Sequence, residues 1–168
     1  MSEIPQINPQ VNPSNQPQFS IEKVYVKDLS LEIPNAPAVF LEREAPTVDI
    51  QLHHNSTTVD TGVYQTVVTA TVTAKIGDRT LFLVEAAQAG IFTIRNIPEH
   101  EIEPVLAVAC PNILFPYVRE VISETTSRAG FPPVILSPVN FEAIYAQQRG
   151  QAAGAQDSVQ IITPGVSH

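Results

Sequence analysis

Apolar residues fall on alternate positions through the first half of the chain and at three- and four-residue spacing after Pro98. The first patterned segment, FSIEKVYVKDLSLE, sets Phe19, Ile21, Tyr25, Leu29 and Leu31 at odd positions, the period of a half-buried strand. Val24 and Val26 break the rule by sharing the other face with Glu22, Asp28 and Glu32, while Lys23 and Lys27 share the apolar one. A bulge or twist that swaps faces midway would reconcile them, and the phase around Val24 is left open.

IPNAPAVFLEREAP follows, and its Pro34, Pro37 and Pro46 disfavour both ladder pairing and helix, so it reads as a long ordered crossover. A second strand is predicted over residues 47–53, where Val48, Ile50 and Leu52 alternate with Asp49, Gln51 and His53. HNSTTVDTG then reads as a polar loop. Residues 63–74, crowded with β-branched Val and Thr, form the strongest strand pattern, and Gly77-Asp78 signals a hairpin to a fourth strand over 80–88. That strand divides into Leu81, Leu83 and Glu85 on one face and Phe82, Val84 and Ala86 on the other. Ala89-Gly90 is expected to end it, with room for a short extension over 91–94.

Residues 104–110 are Ala- and Val-rich enough to start a helix, while Pro111 and Pro116 permit helix only near a first turn or at a kink. Tyr117, Val118, Val121 and Ile122 carry the helical stripe to about Arg128, where Gly130 supplies a stop and FPPVILSP is extended by its prolines. A short last helix over 140–148 has Asn140 as N-cap, Glu142 in its first turn and Phe141, Ile144 and Tyr145 on one face. Four strands followed by helices predict an α+β fold, a four-stranded antiparallel sheet with helices packed on one face and the other face outward. ILFPYV (113–118) is apolar nearly all round, and burying one such side chain is worth roughly 1.5–3 kcal/mol, so a partner subunit is the simplest cover.

The Pro-, Gln- and Asn-rich residues 1–18 and the small, polar residues 149–168 read as disordered or flexible tails around one folded unit, 19–148. Only 15% of the residues are charged, against roughly 25% in an ordinary soluble domain, which points to uncharged interaction surface. The formal net charge of −8 disfavours nucleic acid and anionic membranes and favours a cationic partner. One cysteine, Cys110, allows neither an internal disulfide nor a structural zinc site, and fits a reducing compartment. The N-terminus has no basic start and no apolar core, so a cytoplasmic location is expected. The uncharged stretch 104–118 is shorter than the roughly 20 residues a membrane span needs and is broken by Pro104, Pro111 and Pro116.

No phosphate loop, nucleophile elbow or HExxH motif is present, and no cofactor or metal is implied. His53 and His54, adjacent on a strand, point to opposite faces. His100 lies among Glu99, Glu101 and Glu103, which admits a small-molecule enzyme using a His–carboxylate pair but equally suits a solvated helix start. Cys110, without a basic neighbour in sequence, reads as a packing residue. If Phe82, Val84 and Ala86 face the helices, then Leu81, Leu83 and Glu85 face outward. There Asp28 and Glu32 of the first strand can join them in an acidic platform, although ordinary solvated charges fit the same pattern.

YVKDLSLEIPNAP, QAGIF, ACPNILFPYVRE, SRAGFPP and LSPVNFEAIY, in this order, are distinctive. Across roughly 19–145 the chain resembles the SecB family of bacterial protein-export chaperones. The resemblance implies a non-enzymatic holdase, a homotetramer built as a dimer of dimers, that keeps precursor proteins unfolded in the cytosol and passes them to the SecA motor ATPase. It implies a SecA-docking surface at Asp28, Glu32, Leu83 and Glu85. A client groove is implied near Pro34, Pro37, Val39, Phe40, Phe141, Ile144 and Tyr145. Val84, Ala86 and Gln88 correspond to positions affecting assembly, and Ile113 and Phe115 of the apolar segment join them as expected interface. Many relatives carry a crossover tryptophan, whereas Glu44 occupies the equivalent position here.

Overall fold

The structure is a computed structural model that describes residues 13–152 and, by backbone alone, 161–164. Four long strands, β1 (Gln18–Glu32), β2 (Thr47–Asp60), β3 (Val63–Ile76) and β4 (Arg79–Arg95), pair antiparallel in the order β1-β4-β3-β2. The helical part begins with α1 (Glu99–Pro104), passes through a π-helical turn, Val105–Ala109, and continues as α2 (Cys110–Arg128). An extended segment leads to α3 (Phe141–Gln151), and a short β5 (Ile161–Pro164) pairs with β2. The expected α+β plan, an antiparallel sheet of four strands with helices against it, is the plan observed.

The impure alternation of β1 resolves into two bulges. Its register against β4 slips between Ile21 and Lys23 and again between Val26 and Asp28, so Glu22 and Lys27 are the extra residues. Because each slip shifts the face by one, Phe19, Ile21, Val24, Val26, Leu29 and Leu31 all share the face of Phe92, Val84 and Ala86. Tyr25 goes to the other side, where its hydroxyl donates to Gln65 Oε1.

Two expected boundaries are corrected. HNSTTVDTG is not a loop: β2 runs through it to Asp60, and the turn is confined to Thr61 and Gly62, the latter at φ +69°. The stretch pairs with β3 through Asp60, with one register slip at Val59, and Ser56 and Thr66 join by their hydroxyls at 2.7 Å, so its polar side chains suit an edge strand. Nor does Ala89-Gly90 end β4, which continues to Arg95. Gly90 is required by packing: a Cβ there would lie 2.7 Å from Phe92 Cε2 and 2.9 Å from Leu114 Cδ2 of α2.

The helix starts earlier than its Ala/Val-rich stretch suggests, because Glu99 and Glu101 occupy a first turn after Pro98. Pro111 sits in the opening turn of α2, and Gly130, at φ +90°, follows its end as expected. Asn140 caps α3 by accepting from the Ala143 N–H at 2.9 Å, and the helix reaches Gln151, beyond the expected 148. Of the expected tails, residues 1–12, 153–160 and 165–168 lie outside the described residues. Pro13–Asn15 form a 3-10 turn, and Asn96 Nδ2 donates to the carbonyls of Ser14 and Gln16.

The core lies between the sheet and α2. Cys110, Leu114, Val118 and Ile122, one helical stripe, are buried with Val68, Ala70 and Val72 of β3 and Phe82, Val84, Ala86 and Phe92 of β4. Burial pushes the Cys110 thiol up to about 12 despite a hydrogen bond with Thr66, which makes it a packing residue and not a nucleophile at neutral pH. The run Glu99–Arg128 is long and apolar enough to cross a membrane by length and composition, yet here its stripe is the roof of the core. Gly90→Ala should destabilise the fold by about 1–3 kcal/mol through overpacking against Phe92 and Leu114. Urea denaturation should show the lower midpoint with an unchanged slope.

Candidate functional site

Directly opposed residues of an antiparallel pair share a face with Cβ atoms roughly 5 Å apart. On β1 and β4, Glu32 stands opposite Leu83, Ser30 opposite Glu85, and Asp28 opposite Ala87. Asp28, Glu32, Leu83 and Glu85 therefore lie together on the sheet face turned away from α2. Leu83 is half-buried, and Asp28, Glu32 and Glu85 are exposed. Leu81 does not join them. It is only 5% exposed, because the β3–β4 register slips at Ala74/Lys75, next to the hairpin.

The register also adds residues that the sequence reading did not assign to this platform. Thr71 of β3 is opposite Glu85, and its hydroxyl donates to Glu85 Oε2 at 2.9 Å, holding the carboxylate over the sheet. Thr69 and Thr73 flank it on the same face, and Asp49, Gln51 and His53 of β2 follow in turn. The alternation of β2 had already put Asp49, Gln51 and His53 on one side. What it lacked was the cross-strand register that aligns them with Thr73, Thr71 and Thr69. The face is thus a threonine-lined floor with carboxylates at Asp28, Glu32, Glu85 and Asp49.

On the helix side, the crossover is fixed to the start of β4. Asn35 Nδ2 donates to the Thr80 carbonyl at 2.8 Å, and Arg79 pairs with Glu42. Of the expected groove residues, Val39 and Phe141 are buried in the core, Ile144 and Tyr145 are half-buried, and Pro34, Pro37 and Phe40 are exposed. Phe40 stacks on Phe131 at 5.2 Å between centroids, and Phe131 meets Phe82 at 4.7 Å, so the crossover leans on the segment after α2. Thr126 pins that segment: its buried hydroxyl donates to the Ile122 carbonyl and accepts from the Val134 N–H at 3.0 Å. Ile135 and Leu41 remain largely exposed beside it.

Val84, Ala86, Gln88 and Phe115 are buried within the protomer between β4 and α2, and Ile113 is half-buried. The uncovered apolar surface lies elsewhere. Phe19, Ile21, Val26, Leu29 and Leu31 form a stripe along β1, each between 38% and 48% exposed, on the face that α2 covers only over β3 and β4. The most apolar window of the Glu99–Arg128 run is itself only 33% buried. Such a contiguous apolar stripe is characteristic of protein–protein contact.

His100 stands on the open surface of α1 with 81% of its side chain exposed, and Glu101 Oε1 is 3.8 Å from Nε2. No geometry for a His–carboxylate catalytic pair is formed there, and among the described residues no group of three or more His, Cys, Asp or Glu side chains is placed to hold a metal. His54 is the better enclosed imidazole. It faces a cavity of about 570 Å³ lined also by Tyr64, Glu99, Glu103 and Leu106, and meets the Phe141 ring edge-on at 5.6 Å. Assigning 54–62 to a loop concealed this placement.

The family model "Preprotein translocase subunit SecB" matches residues 12–152. A protein of Methylobacillus flagellatus named protein-export protein SecB is 62% identical over 140 residues, which cover 83% of this chain and 89% of that one. One of the same name from Nitrosomonas eutropha is 63% identical over 146 residues, 86% and 91% of the two chains. A solved SecB-like chaperone of Mycobacterium tuberculosis, in complex with a ChAD peptide from an antitoxin, shares the fold with a TM-score of 0.60 at 16% identity, over 73% of this chain and 91% of that one.

Burial holds the pKa of His54 below its usual 6.5, with the neighbouring His53 charge acting in the same direction. A lowered folded pKa means that the unfolded chain takes up the proton first as pH drops. Stability should therefore be full above about pH 6.5 and decline as pH falls toward the depressed folded value. In His54→Asn that component of the decline should vanish. Urea midpoints at pH 7.5 and 5.5 measure the difference, and equal pH dependence in the two proteins would contradict it.

Proposed function

This chain belongs to the SecB family and serves protein export as a chaperone; we propose that it works as a holdase with two separate surfaces, one for unfolded precursors and one for the SecA motor ATPase. The observation that carries the reading is the sidedness of the sheet. Its helix side and β1 edge present apolar surface, while its opposite side presents carboxylates on threonines.

Asp28, Glu32, Leu83 and Glu85 are the docking surface for SecA. A basic partner is attracted by the net charge of −8 at long range and oriented by these carboxylates at contact. Thr71 positions Glu85 for it, and Leu83 contributes the apolar centre.

Clients lie along the crossover, the segment after α2 and the last helix. Pro34, Pro37, Phe40, Ile144 and Tyr145 offer apolar surface, and the buried Val39 and Phe141 form the floor that holds those elements in place. Extended apolar stretches, which a folded protein hides, match such a surface. With Glu44 where many relatives carry a tryptophan, Phe40 and Phe131 supply the aromatic contact. The assembly is a homotetramer, a dimer of dimers, in the cytoplasm. The β1 stripe and the uncovered side of the Glu99–Arg128 helix supply its apolar contacts, and Val84, Ala86, Gln88, Ile113 and Phe115 set the packing from which those contacts project.

Glu85→Lys should weaken SecA binding about tenfold, roughly 1.4 kcal/mol, and lower its sensitivity to salt. Thr71→Val, which keeps the charge but frees the carboxylate, should cost about two- to threefold. Affinity for an unfolded precursor should be unchanged in both. Titration calorimetry against SecA and against a chemically unfolded precursor separates the two surfaces, and an unaltered SecA affinity in Glu85→Lys would remove the assignment.

A further inference from the structure

β2 is 14 residues long and lies outermost among the four long strands. An edge of that length exposes a row of N–H and C=O groups able to recruit another extended chain. Part of it is taken by the chain itself. β5 runs antiparallel along it, with Leu52 opposite Ile161, Gln51 opposite Ile162, Ile50 opposite Thr163 and Asp49 opposite Pro164.

We propose that Ile161–Pro164 is a tethered, displaceable strand that occupies the β2 edge at rest and yields it to an extended segment of a bound client. The proposal rests on the holdase reading above. It adds a self-contact in competition with the client.

Three observations carry it. The first is brevity: β5 has four residues and ends on Pro164, which lacks the N–H needed to extend a ladder, while β2 continues to Asp60. So few bonds, offset by the cost of ordering the segment, give a weak hold that depends on the tether for its effective concentration. The second is the kind of segment accepted. VQIITP (159–164) is uncharged and rich in β-branched residues, the composition of an apolar stretch in an unfolded protein. The third is position. β2 carries His54 against Phe141 at the start of α3, the helix whose Ile144 and Tyr145 border the client surface, and the same helix leads into the C-terminal segment. An edge-added strand here would lie beside a bound client, a recognised mode of peptide capture.

The test uses the full chain, a chain ending at Ala152, and full-length Ile162→Pro, a change that lies outside the four long strands and the helices in sequence. Amide exchange should show those amides of Asp49–Leu52 that point away from β3 protected in the full chain and at least tenfold less protected in both variants, with the β3-facing amides and β3 and β4 unchanged. A labelled peptide of residues 159–166 should bind the truncated chain at least tenfold more tightly than the full chain. An unfolded precursor should also bind the truncated chain several-fold more tightly and restore protection at Asp49–Leu52.

Equal protection of those outward Asp49–Leu52 amides in all three proteins would overturn the proposal. So would a precursor that binds the full and truncated chains alike without protecting that edge, or truncated chains that pair edge to edge and exclude precursor. If no form bound unfolded precursor, the holdase reading itself would fall, whereas the exchange and peptide results would still report on the strand.

Discussion

The close approach of α2 to the middle of the sheet is the contact on which the other features depend. It is possible because the inner face of β3 and β4 is paved with small residues, Ala70, Ala86 and Gly90, so that Leu114 can settle where a Cβ on Gly90 would stand. Leu114, Val118 and Ile122 are fully buried there, each burial worth roughly 1.5–3 kcal/mol. Once this helix is spent on β3 and β4, nothing in the described protomer is left to cover the inner face of β1, and the stripe from Phe19 to Leu31 stays open. The far side of the sheet, unopposed by any helix, can then be polar without cost to the core.

That one-sidedness separates two kinds of chemistry that would interfere if mixed. Carboxylates beside an apolar client surface would have to be desolvated with every client bound. Placed across the sheet, they remain hydrated and available for long-range attraction. The first part of the crossover, 33–41, and the segment after α2, 129–140, carry no charged side chain at all.

Much of this was legible in the residues. Alternation identified the four strands, Gly77-Asp78 the hairpin, Asn140 the cap, and the partition of β4 into Phe82, Val84 and Ala86 against Leu83 and Glu85. What was not legible came from cross-strand geometry. The bulges at Glu22 and Lys27 could be suspected from the misplaced valines, but only the register with β4 shows that they put six apolar side chains of β1 on one face. Residues 54–62 read as a loop because polarity was taken for irregularity, when Ser and Thr on an edge strand meet the same description. Gly90 looked like a stop because its packing partner, Leu114, is remote in sequence. Leu81 was grouped with Leu83 by strict alternation, and the irregularity near the hairpin undoes it. The same principle hid the Thr71–Glu85 bond, which joins residues on different strands.

The proposed client and SecA surfaces are separated by the thickness of the sheet. The most direct measurement is whether one oligomer carries both at once, by analytical ultracentrifugation of the chaperone with a labelled unfolded precursor and SecA. Separate surfaces predict a ternary complex in which saturating precursor leaves SecA affinity within about twofold of its value alone. Mutual displacement, with the precursor lost in proportion to SecA bound, would contradict it.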